Sequence, residues 1–315
     1  MLLGLALFSA SLGGAAIWAM RVPDRPGPLT EARDIVIKPG GVTEVADQLV
    51  QDGVIDSPFR FKVLTWLTQD KGHLRAGEFA FPRQASPRQV LTILRTARPV
   101  EYRVTIPEGL TAPRIREIME RAPAATGSLG AIAEGSLLPA TYSYERGMAR
   151  SALVARGQTL MNRELAAAWA DRAPDLGLTS PREMLILASI VERETGREEE
   201  RSHVAAVFLN RLRLGMRLQS DPTVIYAVSG GVGTLDRKIT RADLDRDDPF
   251  NTYRYPGLPP GPISTPGAAS LRAVARPAKS DDLYFVADGD GGHAFSRTLD
   301  AHNRNVARWR ERATQ

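Results

Sequence analysis

Eight residues in succession, Met184 to Val191, carry no charged side chain and almost no polar one. They sit inside a segment with clear helix punctuation. Ser180 is placed to cap it, Pro181 suits the first turn, Glu183 stands where a capping box would close, and Gly196 marks the end. A helix that is apolar nearly all round has to be buried on most sides, so the remainder of its domain must wrap around it. Two carboxylates, Glu192 and Glu194, stand in its last turn. The helix dipole is negative at that end, and burial opposes ionisation as well. Both effects push a carboxyl toward the pKa that a general acid needs. At about 100° per residue, Glu194 falls on the face of Leu187 and Ile190, and Glu192 falls beside Leu185 and Ala188. The competing reading pairs one or both acids with Arg211, Arg213 or Arg217 of the next helix.

The chain of 315 residues has room for more than one domain and an ample core. It has no cysteine, which excludes disulfides, thiolate metal sites and cysteine nucleophiles. The formal charge of +5 comes largely from arginine. No basic run is dense enough for nucleic acid, so none is expected as a partner. The four histidines, His73, His203, His293 and His302, show no ligand spacing, so no metal is expected. The chain holds no phosphate-binding Gly-rich loop, no G-x-S-x-G elbow and no dinucleotide fingerprint, so no cofactor is expected.

Leu2 to Met20 contains no charge and is about long enough to span a bilayer core. It reads as a transmembrane anchor, with a cleaved signal peptide (cut near Ala15 or Ala19) or a buried helix as alternatives. The positives Arg21 and Arg25 follow it, the wrong side for an exported domain, so a short basic leader is expected ahead of it. Residues 21–33 are Pro-rich and read as a tether. Residues 34–99 alternate as strand (Asp34–Lys38), helix (Thr43–Asp52), helix (Phe59–Thr68), strand (Ala76–Phe81) and a helix capped by Ser86. The order strand, Pro/Glu-Gly turn, helix recurs at Val100–Arg121, a weak internal repeat of a small α+β module at 100–122. Modules of this order resemble the LysM type that grips glycan chains.

Further along, Ser151–Ala170 reads as a long helix, and a charged loop leads to a helix from His203 to Leu214. Asp221, before Pro222, is a natural N-cap. Arg217 and Gln219 on the preceding loop could meet sugar hydroxyls and acetamides, which need paired donors and acceptors. Tyr253 lies in a loop of rigid Pro/Gly turns, which suits stacking on carbohydrate, or else plugs the core. Leu283–Ala287 and His293–Phe295 form a hairpin, and a polar helix starts at Thr298.

The ordered motifs Leu187-Ala-Ser-Ile-Val-Glu-Arg-Glu-Thr195, Val207-Phe-Leu-Asn-Arg-Leu212, Gly215-Met-Arg-Leu-Gln-Ser-Asp-Pro-Thr223, Asn251-Thr-Tyr253, Gly257-Leu-Pro-Pro-Gly261 and Tyr284-Phe-Val-Ala-Asp288 resemble those of the YceG-like endolytic murein transglycosylases. Ala140, in Pro139-Ala-Thr-Tyr142, departs from that pattern, which has an acidic residue there. The resemblance implies an α+β chain: a transmembrane anchor at 1–20, a LysM-like module at 34–99 and a catalytic domain at 100–315. It implies a single-pass enzyme of the cell inner membrane with its catalytic domain in the periplasm. Its partners would be peptidoglycan glycan strands and the synthases of elongation or division. Such enzymes cut the MurNAc–GlcNAc β-1,4 bond within nascent strands and leave 1,6-anhydro-MurNAc ends, which terminates strand elongation. In lysozyme-like transglycosylases the acid precedes a small hydroxyl residue, four positions beyond an apolar helix residue. Glu194-Thr195, four after Ile190, resembles that pattern and Glu192-Arg193 does not. Glu194 is therefore the expected catalytic residue, with Gln219 and Tyr253 positioning sugars and Asp221 bracing their loop. The competing functions are a two-carboxylate glycoside hydrolase and a non-catalytic peptidoglycan-binding scaffold.

Overall fold

The computed structural model describes residues 22–313, so the expected anchor at 1–20 lies outside the described residues. Among the described residues no helix is long and apolar enough to cross a membrane. The chain divides into two units, the described residues up to Tyr102 together with Ser143–Gly147, and Arg103–Tyr142 together with the rest. The fold is mixed α+β, as expected.

In the first unit β1 (Arg33–Ile37) pairs antiparallel with β2 (Gly77–Phe81), in the register Ile35↔Phe79. Alternation puts Ile35, Ile37, Phe79 and Phe81 inside and leaves Val36 outside. Between the strands lie α1 (Val42–Gln51) and α2 (Pro58–Leu67), and α3 (Pro87–Thr96) follows. Helix α1 buries Val45, Ala46 and Leu49, the face its periodicity predicts. Ser57 and Ser86 accept the N3 amide of α2 and α3, and Gln89 returns a bond to the Ser86 amide. One charge is nearly buried in this unit: Glu78, held by Arg146 at 2.9 Å and by the Tyr102 hydroxyl at 2.7 Å.

β3 (Glu101–Ile106) pairs with β4 (Ala140–Glu145), and the unit boundary runs through both strands. Only α4 (Ala112–Glu120) lies between them, so the second strand–turn–helix segment has one helix where the first unit has two. Its partner strand comes well after residue 122, within a stretch whose glycines and prolines read as irregular.

The second unit is built around α6 (Pro181–Glu194), which packs against α5 (Arg150–Ala170), α7 (Glu198–Arg213), α8 (Asp221–Val228) and α10 (Ala268–Ala275). Met184 and Ile186 to Val191 are all buried. A short α9 (Arg241–Leu244) precedes the Pro-rich loop. The predicted hairpin is present as β5 (Tyr284–Ala287) and β6 (His293–Ser296), with α11 (Leu299–Ala313) against it.

Three local expectations change. Helix α7 begins at Glu198, not His203: Glu198, Glu199 and Glu200 occupy its first turn, where acidic side chains complement the helix dipole. The capping box at Ser180 is half formed, because Glu183 turns its carboxylate to the Thr179 amide and hydroxyl. Helix α6 ends with Thr195 extended, so Gly196 takes no left-handed turn and is not a glycine cap.

Ser189 is the one polar residue in the buried run. Its hydroxyl donates to the Ile186 carbonyl at 2.7 Å and accepts the Ile263 amide at 3.0 Å. Its carbonyl accepts the Ser264 hydroxyl at 3.0 Å. The Pro-rich loop is thereby fastened along α6. Truncating Leu187 to alanine should lower unfolding stability by about 2–5 kcal/mol, because the neighbours cannot collapse fully into the space. Urea denaturation of wild type and variant measures it.

Candidate active site

Glu194 closes α6 at the base of a polar cluster drawn from four segments of the second unit. Its Oε1 accepts a short hydrogen bond from the Ser220 hydroxyl. Burial raises its pKa to about 7; the Ser220 bond lowers it, nearby Asp221 raises it, and Arg211 and Arg193 lower it. Neither arginine reaches it as an ion-pair partner. Arg211 is buried and committed to the carbonyls of Leu283 and Leu218, each at 2.6 Å. Arg193 donates to the carbonyls of Gly109 and Gly233. Glu194 thus keeps a carboxyl poised to hold a proton near neutrality and to release it.

Glu192 behaves differently. Its side chain is only 5% exposed, yet both oxygens are satisfied. Oε2 accepts the Gly267 amide at 2.9 Å and the Ser270 hydroxyl at 2.8 Å, and Oε1 lies 3.5 Å from Arg201. It therefore holds the N-terminus of α10, where a carboxylate complements the dipole. Gly267 also leaves room for a second carboxylate: a Cβ there would sit 1.8 Å from a Glu108 oxygen. Arg201 is the cation involved, and not Arg211, Arg213 or Arg217.

Ser220 occupies the N-cap position of α8, displacing Asp221, the residue expected there. Its hydroxyl makes no cap and goes to Glu194 instead. Its backbone is gripped by two threonines: the Ser220 amide donates to Thr252 Oγ1 at 3.0 Å, and Thr223 Oγ1 donates to the Ser220 carbonyl at 2.7 Å. Asp221 is the first residue of the helix and stays exposed, its Oδ1 accepting the Tyr253 hydroxyl at 2.6 Å. Burial and that bond hold the Tyr253 phenol protonated, with its pKa pushed upward. Asn251, fully buried, accepts the Tyr253 amide and donates to the Leu244 and Arg246 carbonyls, which sets the loop carrying Tyr253.

Gln219 adopts φ +50, left-handed for a residue with a side chain, at a cost on the order of 1–2 kcal/mol. Its amide donates to the Thr252 carbonyl at 3.2 Å, and its side chain is exposed beside the cluster. Glu194, Asp221 and Tyr253 are thus linked through Ser220, and Gln219 adjoins them. Ser220, Thr223, Asn251 and Thr252 are not distinguished in the sequence as single residues, since short hydroxyl and amide side chains carry no signal of their own. Their only signal was membership in the Gln-Ser-Asp-Pro-Thr and Asn-Thr-Tyr motifs.

A polar cleft of about 400 Å³ adjoins the cluster, lined by Arg217, Leu244, Asp245, Tyr253, Arg254 and Tyr255.

Comparison with known proteins gives this cluster a context. An endolytic murein transglycosylase of Bacillus subtilis is 42% identical over 125 residues, 40% of this chain and 34% of that protein. An endolytic murein transglycosylase of Streptococcus pneumoniae is 35% identical over 181 residues, 55% of this chain and 32% of that protein. The aligned stretches thus span about a third of the length of these curated relatives. A 2.6 Å crystal structure described as a yceG-like protein, lmo1499, of Listeria monocytogenes aligns with TM-score 0.54 and 29% identity, covering 87% of this chain and 99% of that one. Residues 35–308 match the model of the YceG-like family, which includes all of α6 and every residue of the cluster around Glu194, and the chain belongs to that family.

Proposed function

We propose that this chain is an endolytic peptidoglycan lytic transglycosylase in which Glu194 serves as both acid and base. The observation that carries this reading is one buried carboxyl, raised by that burial to about 7, with a hydroxyl donor on one oxygen and no ion-paired cation among the described residues. A hydrolase needs two carboxylates flanking one bond. Glu192 cannot be the second, because both its oxygens are engaged at the α10 N-terminus. One carboxyl suffices for the anhydro-forming reaction. Protonated Glu194 gives its proton to the glycosidic oxygen as the C1–O bond of MurNAc breaks, and GlcNAc leaves with a free hydroxyl. The Glu194 carboxylate then takes the proton of the C6 hydroxyl as O6 bonds to C1. The acid is regenerated and no water is consumed.

Ser220 supports the second half of this cycle, since its O–H donates to the ionised carboxylate. Tyr253 and Gln219 are assigned to positioning sugars, and Asp221 to bracing Tyr253 through their 2.6 Å bond.

The first unit reads as a LysM-like glycan holder. Its strand–helix–helix–strand order and a groove of about 650 Å³ support this. The groove is walled by Thr43, Lys62, Gln69, His73 and Trp66, a residue that is 66% exposed. Leu2–Met20 would anchor the chain in the inner membrane, with the catalytic unit in the periplasm beside the synthases whose strands it cuts. Support for this placement is the uncharged length of the segment.

Three measurements test the reading. Purified protein digesting glycan strands should leave anhydro ends, lighter by one water than reducing ends, by mass spectrometry; reducing ends would favour a hydrolase. Glu194→Gln should lower kcat by about 10³-fold or more, whereas Glu192→Gln should act mainly on stability; unchanged product release by Glu194→Gln would sink the catalytic assignment and favour a binding scaffold.

The second concerns pH. Activity needs the protonated acid, so the rate should fall as pH rises through about 7. Ser220→Ala removes a bond that lowers the Glu194 pKa, so the alkaline limb should move to higher pH, with kcat reduced about tenfold. A pH–rate profile of each protein reads both.

The third is thermodynamic. The folded state holds the Glu194 proton more tightly than the unfolded chain, so stability falls as pH rises from the ordinary carboxyl range to about 7. Glu194→Gln abolishes that loss. Its melting temperature should exceed that of wild type at pH 8 and match it near pH 4, by calorimetry.

A further inference from the structure

The polar cleft beside the acid carries one uncompensated positive charge. Of its charged lining residues, Arg254 lies 3.2 Å from Asp247, and Asp245 lies 3.0 Å from Arg241. Arg217 is exposed, donates from Nη1 to the Tyr253 carbonyl at 3.2 Å, and has no carboxylate within ion-pair distance among the described residues. That carbonyl bond fixes the guanidinium at the cleft wall and leaves its other N–H groups for a ligand. The cleft is tied to the acid through hydrogen bonds: Glu194 bonds to Ser220, the next residue Asp221 bonds to Tyr253, and Tyr253 lines the cleft.

We propose that Arg217 makes this cleft a subsite for a carboxylate of the stem peptide on the muramyl residue being cut. The inference rests on the transglycosylase reading and names the part of the substrate that the cleft takes. The stem peptide is attached at the C3 oxygen of the same ring whose C1–O bond breaks, so it must leave the scissile site through a neighbouring opening. It bears free carboxylates, and a guanidinium recognises a carboxylate with two parallel N–H donors. A glycan denuded by an amidase keeps only the lactyl carboxylate at the ring itself and lacks the carboxylates farther along the peptide, the ones this cleft would hold against Arg217. The cleft walls are suited to peptide as well, with Tyr255 and Leu244 offering apolar surface among polar groups.

The experiment compares three strands as substrates of the full-length protein: peptide-bearing strands with free carboxylates, the same strands with those carboxylates amidated, and strands stripped of peptide by an amidase. Wild type should prefer the free-carboxylate strand over both others in kcat/KM by about tenfold, the strength of one charge-assisted pair. Arg217→Gln should erase that preference, and Arg217→Lys should retain part of it, with near-UV circular dichroism confirming that each variant is folded. Equal preference in wild type and Arg217→Gln, or equal cutting of amidated and free strands by wild type, overturns the subsite. Failure of wild type to cut any of the three overturns the lytic reading itself, a result distinct from a lost preference.

Discussion

The second unit depends on burying α6 on all sides while keeping its single polar interior group bonded. Ser189 donates within the helix to the Ile186 carbonyl and, on its outer side, fixes the segment Ile263–Ser264: its hydroxyl accepts one amide there and its carbonyl one hydroxyl. Loop residues then follow in sequence to Gly267 and Ser270, which bind Glu192. Thr265 is tied in turn to Gly109 and Leu110, bringing the turn after β3 against the same end of the helix. One buried hydroxyl thus organises a Pro-rich stretch that would otherwise have many conformations.

That arrangement assigns the two glutamates different chemistry although they are two residues apart. On a helix their side chains diverge, so they meet different surroundings. Glu192 meets a helix N-terminus, a serine and Arg201, which between them occupy both of its oxygens. Glu194 meets one hydroxyl, the like charge of Asp221 and apolar packing. Two cations influence it from a distance, and both are spent on backbone carbonyls. Burial therefore dominates at Glu194. Ser220 can spend its hydroxyl on that carboxyl because its helix loses little by it: Pro222 has no amide to cap, and the buried Thr223 amide already donates to the Ser220 carbonyl at 3.2 Å.

Local structure was legible where short-range rules act. Ser57 and Ser86 cap helices, Val45, Ala46 and Leu49 form one inner face, and the Asp288–Gly292 segment closes the hairpin, each within a few residues of chain. Errors clustered where a side chain had two partners to choose between. Glu183 took Thr179 over the Ser180 amide, and Asp221 gave up the N-cap to Ser220 and bonds Tyr253. The first turn of α7 reads as a loop in the sequence because three glutamates in a row carry no apolar periodicity. The pairing of β3 with β4 was out of reach, since the second strand is interrupted by no pattern that distinguishes it from its Gly- and Pro-rich surroundings.

The amino-acid sequence by itself determined that an apolar helix ending in two acids must be buried, and it supplied the ordered motifs that mark the family. Apolar periodicity and motif spacing are properties of neighbours along the chain, so they survive without coordinates. Only the tertiary structure decided what each acid bonds to. That choice rests on Ser220, 26 residues after Glu194, and on Gly267 and Ser270, 75 and 78 residues after Glu192. A carboxyl's pKa is set by the atoms within a few ångströms of it, and here folding brings those atoms from distant parts of the chain.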